Sequence, residues 1–311
     1  MLARTHHYGI LLLGLLSLSG LLDTAARGDE PDADRAFGYL KQVCDLGPRI
    51  SGTEGMEKQQ TLIREHFTKL GAKVQSQEFD VQHPLTGRPV RMRNLIVSWQ
   101  PEAPQRVLIA CHYDTRPFPD QDPLPQNRQL PFLGANDGAS GVGLLMELGH
   151  HMPDRKTPLG VDFVFFDGEE LIYNPNRDKY FLGSEYFATQ YRDNPPPFKY
   201  VAGVLIDMVG DKNLEIYIEK MSARYAPGVT DSLFRVAQEL KIREFVPRKR
   251  HEVRDDHIPL TQIARIPSCD LIDFDYPYWH TRNDIPAACS GESLQKVGRV
   301  LLAWMDRYKG M

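Results

Sequence analysis

Apolar runs alternate with amphipathic segments along most of the chain. Residues 161–166 and 201–206 are nearly continuous apolar runs, which indicate buried strands. Residues 54–70 place Leu62, Ile63 and Phe67 near helical spacing, which indicates an amphipathic helix. The same criteria predict helices over residues 32–43, 141–151, 182–191, 229–240 and 291–308, and strands over residues 73–81, 91–99, 106–111 and 268–274.

This order of elements predicts an α/β fold. Strands that alternate with helices favour a three-layer sandwich, with a mixed, mostly parallel central sheet and helices on both faces. The strands at residues 73–81 and 91–99 alternate between polar and apolar positions, so we expect them to form an antiparallel edge. No linker-like composition interrupts residues 29–311, which we therefore expect to form one catalytic domain.

The first 28 residues have the pattern of a secretory signal peptide. Arg4 precedes an apolar run over residues 9–22, and small residues follow at 24–26. The run is short for a membrane span, although an uncleaved anchor is the alternative. No other stretch is apolar enough to cross a membrane. We therefore expect a periplasmic or secreted protein that has no membrane association after cleavage.

Composition adds few constraints. The 311 residues are 41% hydrophobic and 25% charged, as in ordinary globular proteins, and the net charge of -4 gives no indication of nucleic-acid binding. One basic cluster, at residues 248–250 with Arg254, is expected to be a solvated loop; the weaker alternative is that it steers substrates. The four cysteines match no zinc-finger or catalytic signature, so we expect most of them to be buried as small apolar side chains. The alternative is that two of them form one disulfide.

Candidate chemistry is concentrated where predicted strands end. Carboxyl ends of parallel strands meet at one edge of a sheet, where ligands bind. Imidazole and carboxylate groups together suit zinc. Each residue alone has an ordinary explanation, such as a turn, a helix cap or a core carboxylate, and only their combination predicts a metal site. The residues are His112, Asp137, Glu169, Glu170, Asp207 and His280.

Two further acids are candidates to orient the histidines. Asp114 lies two residues after His112, so both side chains of an extended strand point to one side, and the carboxylate can hold the second imidazole nitrogen. Asp284 lies four residues after His280 and either does the same or caps a turn.

Together these motifs resemble a known family. From about residue 36 onward the chain is similar to the zinc exopeptidases of the bacterial aminopeptidase type, and most similar to animal-type glutaminyl-peptide cyclotransferases among them. The resemblance rests on HYD at 112–114, GANDGASG at 134–141, DGEE at 167–170, LIDMVG at 205–210, DDHIP at 255–259 and WHT at 279–281.

The resemblance implies a set of metal ligands. Asp137, Glu170 and His280 would bind the zinc that both branches share. His112 and Asp207 would complete a second zinc site in the aminopeptidases, with Asp137 as the bridge. The cyclases have a similar layout but work with one zinc. The chain is therefore expected to bind one zinc ion, with two as the alternative.

The resemblance also implies catalytic roles. Glu169 would move protons, in a hydrogen-bond network with Asp207 and Asp255 in the cyclases. Aminopeptidases usually carry serine in place of Asp255. Trp279 would line the substrate pocket.

Two reactions are consistent with these residues. A cyclase would convert the N-terminal glutamine of a peptide to pyroglutamate, whereas an aminopeptidase would hydrolyse the first peptide bond. A third hypothesis, a binding module without activity, is disfavoured because no ligand position is lost. Peptides and proteins would bind through their N-termini, and we expect a monomer without nucleic-acid partners.

Overall fold

A six-stranded sheet forms the centre of the computed structural model, which describes residues 30–310. The strand order is β1-β2-β4-β3-β5-β8. These strands are β1 (Lys73–Gln82), β2 (Pro89–Trp99), β3 (Gln105–His112), β4 (Gly160–Phe166), β5 (Lys199–Asp207) and β8 (Ser268–Ile272), and a separate pair contains β6 (Ile216–Ile218) and β7 (Phe245–Lys249).

Strand directions confirm the predicted mixed sheet. Strand β3 pairs in parallel with both β4 and β5, and β5 pairs in parallel with β8. Strands β1 and β2 are antiparallel to each other, and β2 is antiparallel to β4. The two early strands therefore form the expected antiparallel edge. The four parallel strands bring their carboxyl ends to a common edge.

Helices cover both faces of the sheet. They are α1 (Ala33–Cys44), α2 (Glu54–Lys69), α3 (Ala139–Gly149), α4 (Leu182–Asp193), α5 (Lys220–Tyr225), α6 (Pro227–Glu239), α7 (His257–Gln262) and α8 (Gly291–Arg307). Ile109 and Val204 share a core with α1, α2, α3, α6 and α8. Their chain neighbours Ala110 and Leu205 share a second core with α4 and α7. This alternation confirms the three-layer α/β sandwich.

Two short α-helices and two short strands were not predicted from the sequence: α5, α7, β6 and β7. Each has three to six residues. A segment this short contains less than two turns of helix or a few alternations, so its hydrophobic periodicity is not distinctive. Their positions are decided by packing against longer elements.

Residues from Pro31 onward form one compact unit. The predicted signal peptide at residues 1–28 lies outside the described residues. Among residues 30–310, no helix combines the length and apolar character needed to cross a membrane. All four cysteines are buried free thiols, as expected for small apolar side chains, and none forms a disulfide.

Candidate metal centre and active site

Turns at the carboxyl edge of the sheet position the candidate ligands. His112 is the last residue of β3, and Asp207 is the last residue of β5. Asp137 precedes Gly138, whose φ of 92° directs the chain into α3. A β-carbon at Gly138 would lie 3.0 Å from the Asp114 carbonyl oxygen and 3.1 Å from His112 Cε1. Glycine is therefore needed at this position for both its backbone conformation and its lack of a side chain.

His280 also has an uncommon backbone conformation. Its φ is 52°, in the left-handed region that non-glycine residues adopt infrequently. Such conformations are concentrated at functional sites, where the surrounding structure holds them in place. The turn points the buried imidazole toward the loops that follow β3 and β4.

The first group of candidate ligands contains Asp137, Glu170 and His280, all buried. His280 Nε2 lies 3.3 Å from Asp137 Oδ2 and 3.3 Å from Glu170 Oε1. Tetrahedral zinc, with bonds of about 2.0–2.1 Å, places its ligand atoms about 3.3 Å apart. Neither His280 Nε2 nor Asp137 Oδ2 has a hydrogen-bond partner among the described residues. The donor atoms and their spacing therefore fit a zinc ion.

The second group contains His112, Asp137 and Asp207. His112 Nε2 lies 3.3 Å from Asp137 Oδ1 and 3.1 Å from Asp207 Oδ1. Asp137 therefore directs one oxygen to each histidine, as a bridging carboxylate would. The two groups differ in the state of the histidine nitrogen. His112 Nε2 has Asp207 as a hydrogen-bond partner, whereas His280 Nε2 has no partner among the described residues.

Electrostatics in this edge favour a cation. Burial alone would raise the pKa of Asp137, but His112 and His280 hold it well below its usual value. Burial alone would lower the pKa of both imidazoles, but the surrounding carboxylates raise the pKa of each well above its usual value. The chain therefore attracts positive charge to this point, and a divalent cation would replace the protons on the imidazoles.

Glu169 lies next to Glu170 in the loop that follows β4, where it is partly buried and lines a cavity. Burial and then the neighbouring carboxylate of Glu170 raise the pKa of Glu169 well above its usual value. Burial and the charge of Asp207 do the same to the pKa of Asp255. The pKa of Asp207 is also raised, by burial first. A raised pKa makes a carboxyl group a better proton acceptor, which is the property that a general base requires.

A cavity of about 420 Å³ opens over these residues. Glu169, Asp207 and Asp255 line it together with the first group of candidate ligands, and Trp279 and Phe274 form an aromatic wall with ring centroids 5.4 Å apart. The structure therefore brings Asp137, Glu170 and His280, the three acids and Trp279 to the lining of one cavity. His112 lies outside this lining but contacts Asp137 and Asp207, and Asp114 and Asp284 also lie outside it.

Comparison with known proteins identifies the family. Peptidase family M28 matches residues 94–305. The chain belongs to peptidase family M28. Among solved structures of this family's fold, glutaminyl cyclase from Fimbriiglobus ruber is 44% identical, with a TM-score of 0.86, and the match covers 88% of this chain and 95% of that one. A Zn-dependent exopeptidase from Parabacteroides distasonis is 30% identical, with a TM-score of 0.83 and coverage of 90% and 99%.

Curated relatives point the same way. Glutaminyl-peptide cyclotransferase from Bothrops jararaca is 26% identical over 246 residues, which are 69% of this chain. The match spans 65% of the length of that relative. These relatives confirm the resemblance to zinc exopeptidases and glutaminyl cyclases, and the cyclases are the favoured branch.

The partners of the two histidines differ from those expected in this M28 chain. Asp284 does not contact His280; its carboxylate accepts the backbone N–H of Asn136 at 2.7 Å and that of Asp137 at 3.2 Å. His280 Nδ1 instead lies 3.1 Å from Asp120 Oδ1. Asp120 is in the polar loop between β3 and α3, where the sequence shows no periodic pattern. The one indication in the sequence is that Asp120 is an acid located between the motifs at 112–114 and 134–141.

Asp114 likewise has a different role. Its Oδ1 lies 3.8 Å from His112 Nδ1, too far for a hydrogen bond. Its two oxygens accept the backbone N–H groups of Glu169 at 3.2 Å and Glu170 at 2.9 Å. Asp114 therefore fixes the loop that carries both glutamates. Its spacing from His112 could not reveal this contact, because the loop follows another strand.

Arg116 was also not identified from the sequence. Its Nη1 donates to both oxygens of Glu170, at 2.9 and 3.0 Å, and its Nε lies 3.1 Å from Asp120. These acids outweigh burial and raise the pKa of Arg116. Arg116 therefore holds Glu170, which is a candidate ligand, and Asp120, which contacts the candidate ligand His280.

Proposed function

We propose that the protein is a zinc-dependent glutaminyl-peptide cyclotransferase. It would convert the N-terminal glutamine of a peptide to pyroglutamate and release ammonia. The observation that carries this proposal is the set of three acids, Glu169, Asp207 and Asp255, that line one cavity beside the candidate zinc ligands. The match to a bacterial glutaminyl cyclase at 44% identity supports it.

We assign one zinc ion to Asp137, Glu170 and His280. The ligand atoms His280 Nε2 and Asp137 Oδ2 of this group are buried without hydrogen-bond partners among the described residues, whereas His112 Nε2 is paired with Asp207. Bound zinc would polarise the side-chain carbonyl of the glutamine. Arg116 and Asp120 hold Glu170 and His280 in place through the contacts described above.

The side chains of the protein would carry out the remaining steps of the cyclisation. The cavity holds the α-amine of the glutamine close to its own side-chain carbonyl carbon, which supplies much of the rate. The amine nitrogen forms a bond to this carbon, and the bond from the carbon to the amide nitrogen breaks. Glu169 accepts a proton from the amine and returns it to the departing nitrogen, which leaves as ammonia. Burial and the carboxylate of Glu170, with a smaller contribution from Asp255, raise the pKa of Glu169, which favours both transfers.

The second candidate function is a zinc aminopeptidase. Its support is the second group of ligands, because His112, Asp137 and Asp207 lie close enough to hold another ion. The similarity to a Zn-dependent exopeptidase also favours it. In that reaction Glu169 would deprotonate a water molecule that attacks the first peptide bond.

One incubation separates the two reactions. A peptide that begins with glutamine is treated with the zinc-loaded enzyme, and ammonia and free amino acids are measured. Ammonia release from an otherwise intact peptide supports the cyclase, whereas free glutamine indicates the peptidase. We expect Glu169→Gln to retain zinc and to lose activity by about 100-fold or more. Near-normal turnover by this variant would show that another group moves the proton.

Location and assembly complete the proposal. We propose that residues 29–311 form a single catalytic domain that acts on peptides as a monomer, without nucleic-acid partners. The signal peptide predicted at residues 1–28 implies a periplasmic or secreted enzyme, which fits a peptide-modifying role. Fractionation of cells that express the full chain, with the N-terminus of the recovered protein sequenced, tests this location.

A further inference from the structure

The basic cluster noted in the sequence separates in three dimensions. Arg248 and Arg250 both stack on the ring of Tyr217, at 5.2 and 4.7 Å from its centroid. Arg250 also pairs with Asp275 at 2.9 Å. Arg254 makes neither kind of contact with the described residues and forms no ion pair with them. The two arginines on Tyr217 are therefore structural, and Arg254 is not explained by packing.

Arg254 lines the candidate active-site cavity. Burial alternates along this segment, because Val253 and Asp255 are buried whereas Glu252 and Arg254 are exposed. Asp255 therefore belongs to the interior of the cavity and Arg254 to its mouth.

Arg254 differs from the other basic groups in the described lining. Arg116 is paired with Glu170 and Asp120, and His280 belongs to the candidate zinc site. Arg254 is thus the one cationic group of this lining that has no acidic partner. Its planar guanidinium can bind a carboxylate through two parallel hydrogen bonds.

The location of Arg254 suggests which part of a substrate it contacts. If the N-terminal glutamine reaches the zinc ligands and Glu169, the following residues must leave through the mouth. Phe274 and Trp279, each 37% exposed, line the cavity together with Arg254. We propose that Arg254 binds a carboxylate that the substrate presents directly after its N-terminal glutamine. This inference rests on the proposed cyclase function.

Two sources can present this carboxylate: an acidic side chain at the second position, or the terminal carboxylate of a dipeptide. The first is tested with Gln-Glu-Ala-amide against Gln-Gln-Ala-amide, and the second with Gln-Ala against Gln-Ala-amide. In each pair the measured quantity is the ratio of kcat/KM for the charged peptide to that for the neutral one. A ratio within one enzyme cancels any loss of active protein.

Arg254→Gln is compared with the wild type and with Lys249→Gln. Lys249 belongs to the same basic cluster and its replacement changes the net charge equally, but it lies outside the cavity lining. We expect Arg254→Gln to lower the ratio about threefold to fivefold for at least one peptide pair, as for an exposed ion pair. Lys249→Gln should leave it unchanged. Added salt should reduce the wild-type ratio toward that of Arg254→Gln.

The outcomes separate the two proposals. If the wild type cyclises these peptides and Arg254→Gln leaves both ratios unchanged, the role of Arg254 is wrong and the cyclase function stands. An equal change in Lys249→Gln would mean that overall charge, rather than a contact at the mouth, selects the substrate. If the wild type releases no ammonia from any of the peptides, the cyclase function itself fails, and the role of Arg254 fails with it.

Discussion

Buried carboxylates that accept backbone N–H groups place the candidate catalytic residues. Asp114 holds the amides of Glu169 and Glu170, and Asp284 holds the amides of Asn136 and Asp137. These bonds satisfy donors that would otherwise be buried without partners. The loops at the edge of the sheet are thereby ordered by side chains that do not themselves face the cavity.

Glu219 also accepts backbone N–H groups, including one in the segment just before Asp255. Its carboxylate accepts the N–H groups of Met221 at 2.8 Å, Ser222 at 2.5 Å and Val253 at 3.0 Å, and it lies 3.5 Å from His257 Nε2. It therefore ties the start of α5 to the segment that carries Asp255. Burial alone would raise the pKa of Glu219, but His257 and the backbone donors lower it to about 2.

This shift predicts a pH-dependent contribution to stability. The usual pKa of 4.5 applies to the unfolded chain, so the contribution of Glu219 is fully present above pH 4.5 and is lost as pH falls toward 2. A shift of this size corresponds to roughly 3 kcal/mol. Glu219→Gln should therefore lower the free energy of unfolding near pH 7, with the deficit shrinking toward pH 3. Urea unfolding at several pH values measures it.

The matched control is Glu239→Gln. Glu239 is exposed on α6 and pairs with Arg307 at 2.6 Å, a kind of contact that contributes little. Its replacement should leave the unfolding curve almost unchanged at every pH. A deficit for Glu219→Gln that does not vary with pH would mean that lost packing, rather than the charge, is responsible.

At the scale of elements, the contact between α1 and α3 is unusually close. A β-carbon at Gly143 in α3 would lie 2.8 Å from the backbone nitrogen of Leu40 in α1 and 3.1 Å from its Cα. Backbone atoms cannot move aside as a flexible side chain can. The glycine therefore sets the distance between the helix that follows Asp137 and its neighbour.

Two substitutions to alanine test this contact. Gly143→Ala should force α1 and α3 apart and lower the free energy of unfolding by about 1–3 kcal/mol. Gly38→Ala in α1 has no atom within 4 Å of the added carbon. It should stabilise the protein by about 0.5–1 kcal/mol, since alanine favours helix. Chemical unfolding of both variants measures the difference, and equal effects would contradict the close approach.

For the whole molecule, the edge of the sheet concentrates carboxylates that need a cation. Binding of an ion to the folded chain only would stabilise it by mass action, by about 4 kcal/mol at a thousand times the dissociation constant. Removal of the metal with a chelator should therefore lower the melting temperature, by roughly 10 °C for a domain of this size. Calorimetry with and without chelator measures the change.

Controls identify the ion and the ligands. Zinc should restore the melting temperature at lower concentration than magnesium, because the ligand group includes an imidazole nitrogen. His280→Ala should melt at a temperature that the chelator barely changes. A wild-type melting temperature that does not respond to the chelator would contradict a bound metal ion.

The sequence alone determined the elements that are long and amphipathic, and with them the layers. Residues 54–70, for example, were predicted as a helix, and α2 covers Glu54–Lys69. The acids and histidines at strand ends were also accessible, because parallel strands bring their carboxyl ends to one edge whatever the loops do.

Only the tertiary structure decided which groups meet across that edge. Asp120 contacts His280, and Arg116 contacts Glu170. Arg254 forms no ion pair within residues 30–310, whereas Arg248 and Arg250 stack on the ring of Tyr217. These residues lie in loops or short segments, where no periodicity shows which way a side chain points. Hydrophobic burial produces a repeating pattern in the sequence. Polar contacts between distant loops instead depend on where the fold places each loop.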